Sequence, residues 1–240
     1  MFTVALIGLD GAGKTTISDK LRESFPLPMK YLYMGINIDS SNVALPTSRL
    51  AHALKKYKQR KKHGGDKSLD SKALYHQVRP KSKKSNPVRS ALRLLNRVAD
   101  ESYRQVVSWG YQLRGNIVLY DRHYLFDFAL IDLESKTQKV RLSDRLHRWF
   151  ITRVLARPDM VIFLDAPPEV LYARKGEWSV EYLRERREAV LYQGEKTLNF
   201  IRVDATQPVE KVYDDVCRNI LRFHEAKKSG KVHRNGKPEA

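Results

Sequence analysis

The feature that most constrains this chain is the stretch Gly8-Leu9-Asp10-Gly11-Ala12-Gly13-Lys14-Thr15-Thr16, set directly after an apolar run that begins at Thr3. An apolar run that stops at a glycine, followed by four residues and Gly-Lys-Thr, is the pattern of a strand, a tight turn and a helix that together enclose phosphate. A di- or triphosphate concentrates negative charge in little space. Backbone N–H groups surround it only where the chain curls tightly, which Gly8, Gly11 and Gly13 allow. The helix expected to start near Gly13 or Lys14 would aim its unpaired N–H groups and positive dipole end at the same anion. Lys14 is expected to reach the β- and γ-phosphates, and the Thr15 hydroxyl to ligate Mg²⁺. Gly8, Asp10, Gly11, Ala12, Gly13, Lys14, Thr15 and Thr16 form the expected nucleotide-binding set, with ATP and Mg²⁺ as cofactors.

Further along, apolar strands alternate with helical patterns. Strands are expected at 30–33, 116–120, 160–164 and 200–203, and helices at 49–57, from Pro87 through Val107, at 143–155, 170–175, 179–198 and 209–224. Such alternation predicts an α/β fold, a parallel sheet with helices on both faces. Ligands of such sheets bind at the carboxyl ends of the strands, where the glycine loop, Asp121-Arg122 and Asp165 should converge. One domain is expected over residues 1–226. An insertion at about 60–87, with little that could build a core, reads as mobile, and 227–240 reads as a basic disordered tail.

The net charge is +18, and twelve of those charges lie between His52 and Arg93. The excess therefore belongs to one insertion and points to an anionic partner, a phosphorylated substrate, a nucleic acid or a membrane surface, with the last two expected to bind through residues 52–93. A lone Cys217 excludes an intramolecular disulfide and suits a reducing compartment. With no basic leader before the first apolar run and no apolar stretch of spanning length, the expected location is the cytoplasm.

The glycine loop, Tyr120-Asp-Arg-His123, Phe163-Leu-Asp-Ala-Pro-Pro-Glu-Val170 and Val203-Asp-Ala-Thr-Gln-Pro208 occur in one order, and together they resemble the thymidylate kinase family. The resemblance covers residues 1–25, 115–129 and 158–223 and is poor across 30–100. It implies a P-loop kinase fold and transfer of the γ-phosphate of MgATP to a phosphate or hydroxyl acceptor, a nucleoside monophosphate with thymidylate as the default; the lid here is short, a departure from the family. It also implies that Asp10 occupies the acidic position inside the loop and that Arg122 lies between donor and acceptor phosphates. Asp121 would sit near Mg²⁺. Arg174 and Lys175, before Gly176, are the lid candidates, with Arg184, Arg186 and Arg187 on the next helix. The expected catalytic set is Asp10, Lys14, Arg122 and Arg174, and the metal set is Thr15 and Asp121. Members of that family are commonly dimers, so a homodimer is among the expected partners.

The chain departs from the family on the acceptor side. Where the family has a helix arginine, Asp100 stands here, with Arg97 and Arg104 about one turn to either side. Where a serine or amide would meet thymine, the chain reads Phe126-Asp-Phe-Ala-Leu-Ile131. A polar base edge is poorly served by an apolar wall. Two alternatives follow: the same chemistry on a sugar, sugar phosphate or lipid-linked headgroup, and a non-catalytic ATP-binding module that uses the basic insertion on nucleic acid or anionic membrane.

Overall fold

The computed structural model describes residues 1–35, 42–43, 45, 87–134 and 142–230. The expected helix at 49–57, the insertion at 60–87 save its last residue, most of the 52–93 basic segment and the tail from 231 lie outside the described residues.

Five strands form one parallel sheet in the order β2-β3-β1-β4-β5. They are β1 (Thr3–Gly8), β2 (Met29–Tyr33), β3 (Ile117–Asp121), β4 (Met160–Asp165) and β5 (Phe200–Asp204). Central strands of a parallel sheet are covered on both faces and so carry continuous apolar runs. All six residues of β4 are buried, as are Thr3 to Ile7 of β1. The flanking helices are α1 (Lys14–Ser24), α2 (Pro87–Leu113), α3 (Tyr124–Glu134), α4 (Leu142–Val154), α5 (Pro168–Lys175), α6 (Val180–Glu195) and α7 (Val209–Lys228). Helix α1 packs on α7, α3 on α6, α5 on α6 and α2 on α4.

The register decides what meets at the carboxyl edge. Leu6 of β1 pairs with Asp121 of β3, and Gly8 pairs with Leu164 of β4. The glycine loop thus leaves the central strand with the Asp121-Arg122 turn on one side and Asp165 on the other.

Four elements differ from the sequence reading, the first being α2, which runs on to Leu113, past Val107. Helix α3 has no counterpart in it, because Tyr124-Leu-Phe-Asp-Phe-Ala-Leu-Ile-Asp-Leu-Glu134 is apolar almost all round and shows no one-sided periodicity. Helix α6 stops at Glu195 rather than near Leu198. Helix α7 runs on to Lys228, past His224, so Lys227 belongs to the helix rather than to the tail. Its ammonium lies 3.0 Å from Asp159, whose other oxygen accepts from the Thr3 N–H at 2.8 Å.

Candidate active site

The loop is shaped by two glycines in left-handed conformation. Gly11 has φ +90°, and a Cβ there would sit 3.0 Å from the Leu171 carbonyl. Gly13 has φ +82° and precedes the first residue of α1, with open space where a Cβ would be. A side chain at either position would strain the backbone, and at Gly13 would intrude on the cradle before the helix N-terminus. Thr15 and Thr16 lie exposed in the first turn of α1.

Lys14 folds back over its own loop. Its ammonium donates to the carbonyls of Gly8 and Leu9, both at 2.8 Å, and lies 3.9 Å from Asp10 Oδ1. Burial, and then the neighbouring Arg122 guanidinium, pulls its pKa down to about 8. Burial alone would raise the Asp10 carboxyl, but Lys14, Arg122, Lys175 and Arg186 together hold it below its ordinary value. Four cations from the loop, the β3 turn, α5 and α6 therefore act on one carboxylate. Such an excess of positive charge at strand ends is a site for an anion.

Arg122 sits at φ +62°, a conformation unusual for a residue with a side chain. Its N–H still bonds to Leu6, extending the sheet by one rung, and its guanidinium lies 3.4 Å from Asp10. Asp121, the last residue of β3, accepts from the Tyr31 hydroxyl at 2.6 Å. Burial and that hydrogen bond push the Tyr31 phenol well above its ordinary range.

A cleft opens beside this cluster. It is lined by loop residues through Asp10, by Arg122, by Phe126, Asp127 and Leu130 of α3, and by Arg186 and Val190 of α6. Arg174 does not line it. Its guanidinium donates to the Ala205 carbonyl at 2.8 Å and reaches that of Gly11 at 3.5 Å, bridging the loop to the turn after β5. The three arginines of α6 diverge. Arg184 pairs with Glu169 at 3.0 Å, Arg187 is held by Asp165 at 2.6 Å, and Arg186 is buried and faces the cleft. Helical spacing shows that the three diverge; only packing shows which one turns inward.

The acceptor-side arginines lie elsewhere. Arg104 is 2% exposed, 3.3 Å from Asp100, and donates to the carbonyls of Tyr33 and Gly35. It ties α2 to the end of β2. Arg97 lies 3.5 Å from Glu101, which is hydrogen-bonded to His147 of α4 at 2.6 Å.

No family model matches the chain. A probable thymidylate kinase of Archaeoglobus fulgidus is 32% identical over 123 residues, 48% of this chain and 58% of that relative's length. A probable thymidylate kinase of Staphylothermus marinus is 26% identical over 229 residues, 92% of this chain and 94% of the relative. The fold is similar to that of deoxyadenosine kinase from M. mycoides solved with bound dATP, with a TM-score of 0.53 and 15% identity over 91% of this chain and 99% of that one. Sheet order, glycine loop and cation cluster define a P-loop kinase fold. In sequence the chain is similar to the two probable thymidylate kinases.

Proposed function

We propose that the protein transfers the γ-phosphoryl group of MgATP to a nucleoside monophosphate. The observation that carries this reading is the placement of Lys14 and Arg122 against Asp10 at the mouth of the glycine loop, with Arg186 lining the same cleft. Phosphoryl transfer asks little covalent chemistry of a protein; it asks for alignment and for positive charge where the transferred group passes. The loop N–H groups and Lys14 would hold the donor phosphates. Arg122 stands between loop and cleft and would bridge donor and acceptor. Arg186 would meet the transferred group from the α6 side. Asp10 keeps these cations aligned in the absence of phosphate. Arg174 would steady the loop through Gly11 and Ala205.

Thr15 and Asp121 offer one hydroxyl and one carboxylate. That oxygen set suits a hard Mg²⁺ ion whose remaining ligands are phosphates and water. When bound, the ion would neutralise charge on the β- and γ-phosphates.

A second reading keeps the donor chemistry and changes the acceptor to a sugar, sugar phosphate or lipid-linked headgroup. It is favoured by the cleft wall, where Phe126, Leu130 and Val190 are apolar and Asp127 is the polar group that α3 contributes. An acceptor screen with MgATP, all nucleoside monophosphates and a panel of sugars and sugar phosphates separates the two. Turnover on a nucleotide supports the first reading, and a hit confined to the sugars supports the second. A role of the basic segment 52–93 in binding nucleic acid or anionic membrane is a separate proposal, tested by binding across a salt series. Among the described residues no helix is long and apolar enough to cross a membrane.

A further inference from the structure

The segment in the place of a lid is a short corner, residues 176–179, fixed at both ends. Gly176 ends α5 at φ +62°, with its N–H on the Tyr172 carbonyl at 2.7 Å. Ser179 caps α6, its hydroxyl accepting from the Tyr182 N–H at 3.2 Å. Between them Trp178 adopts φ +69° and stacks on Tyr182, with ring centroids 4.8 Å apart. One turn on, the Arg186 guanidinium lies over the same Tyr182 ring at 5.3 Å and donates to its hydroxyl at 2.9 Å. Arg186 is 5% exposed and faces the cleft with Asp10 and Arg122.

A left-handed tryptophan is strained, and such strain persists only where packing over-determines it. Here Trp178 packs on Tyr182 and against the main core, and the Tyr182 ring also meets Arg186, one of the cations of the site. We infer that Trp178, Tyr182 and Arg186 form a preassembled strut, with Tyr182 as the positioning residue that holds Arg186 ready before any nucleotide arrives. The cation on the α6 side is then a built-in part of the site rather than one carried in by a closing lid. The fixed corner gives this arrangement its rigidity, and the stacking and cation–π contacts give it direction.

This deepens the phosphoryl-transfer reading and rests on it. The first test reads steady-state MgATP hydrolysis with water as acceptor. Tyr182→Leu, which removes ring and hydroxyl, should lower kcat about 10–100-fold while leaving the KM for ATP within about threefold, since misplacement by an ångström costs about that much. Tyr182→Phe keeps the ring and should fall between it and wild type. Wild-type kcat in Tyr182→Leu overturns the inference. The second test needs no activity. With Trp109 and Trp149, both exposed, replaced by Phe, Trp178 reports alone. Its emission should be unchanged on adding MgADP, because the stack exists beforehand; a large shift overturns the inference. Lys14→Ala separates the layers. If it keeps turnover, the phosphoryl-transfer reading fails. If it is dead while Tyr182→Leu is normal, only the strut fails.

Discussion

Two carboxylates sit at neighbouring strand ends and are treated in opposite ways. Asp165, the last residue of β4, is gripped by Arg187 at 2.6 and 2.8 Å and by Arg202 at 2.7 Å. Burial alone would raise it, and those two arginines hold it below its ordinary value. Asp10, one strand over, has Arg122 at 3.4 Å and Lys14 at 3.9 Å, with Lys175 and Arg186 acting on it from farther out. The close bidentate pairing at Asp165 consumes its charges and pins α6 and β5 to β4. The looser pairing at Asp10 keeps Arg122 and Lys14 at 3.4 and 3.9 Å, beside the open cleft rather than locked in close bidentate contact. The first arrangement makes structure; the second makes a phosphate site.

The largest expected effect that sharpens the contrast is at Lys14. Lys14→Ala should cut turnover by about 10³-fold or more. Its thermal midpoint should not fall, because the cost of burying an ammonium disappears with the side chain. A midpoint that collapses along with activity would make Lys14 a structural residue like Arg187. Next is Arg122→Ala, expected to lose about 10²–10³-fold in turnover. Stability should change by less than about 1 kcal/mol, since the 3.4 Å pair with Asp10 is partly solvated. The mirror image is Asp165→Ala. Discounted for the exposure of Arg202, it should cost about 1–3 kcal/mol, read as a midpoint lower by several degrees in calorimetry. MgATP hydrolysis well below the midpoint should stay within about threefold. A turnover loss matching that of Arg122→Ala would erase the distinction between the two carboxylates.

Much of this was legible in the sequence, for physical reasons. Strands buried on both faces announce themselves as apolar runs, and the loop glycines announce a backbone that no other residue adopts cheaply. The sheet, the loop and the convergence of Asp121 and Arg122 with it followed from those two signals. Helix α3 was hidden because it is apolar almost all round. Asp100, in the register of an expected acceptor arginine, became instead the buried partner of Arg104, a pairing across one turn that spacing permits but does not announce. The choice of Arg186 over Arg174 for the cleft depended on how α6 rolls against α3, which is packing between segments far apart in sequence. The Trp178–Tyr182–Arg186 spacing was visible, yet the left-handed turn that starts it was not.

The smallest expected effect separates the fold's own acid sensitivity from that of the two carboxylates. His123, directly after Arg122, is fully buried, its ring 4.1 Å from that of Tyr124, with Nδ1 accepting from the Leu125 N–H at 3.4 Å. Burial, and then the Arg157 charge, lowers it from its ordinary 6.5 to about 3. Between those values the unfolded chain takes up a proton that the folded chain refuses, so stability falls as pH falls through that window. Asp10 and Asp165, with lowered values, lose their contributions as pH falls through their ordinary 3.8, so between pH 6.5 and 4.5 His123 titrates apart from these two carboxylates. His123→Phe keeps an aromatic ring and removes the titration. In urea unfolding across that range, its stability should depend on pH less steeply than wild type by about one proton, or about 1.4 kcal/mol per pH unit. Equal slopes would mean that His123 takes its proton in the folded state, and that acid acts on this edge of the sheet through the carboxylates alone.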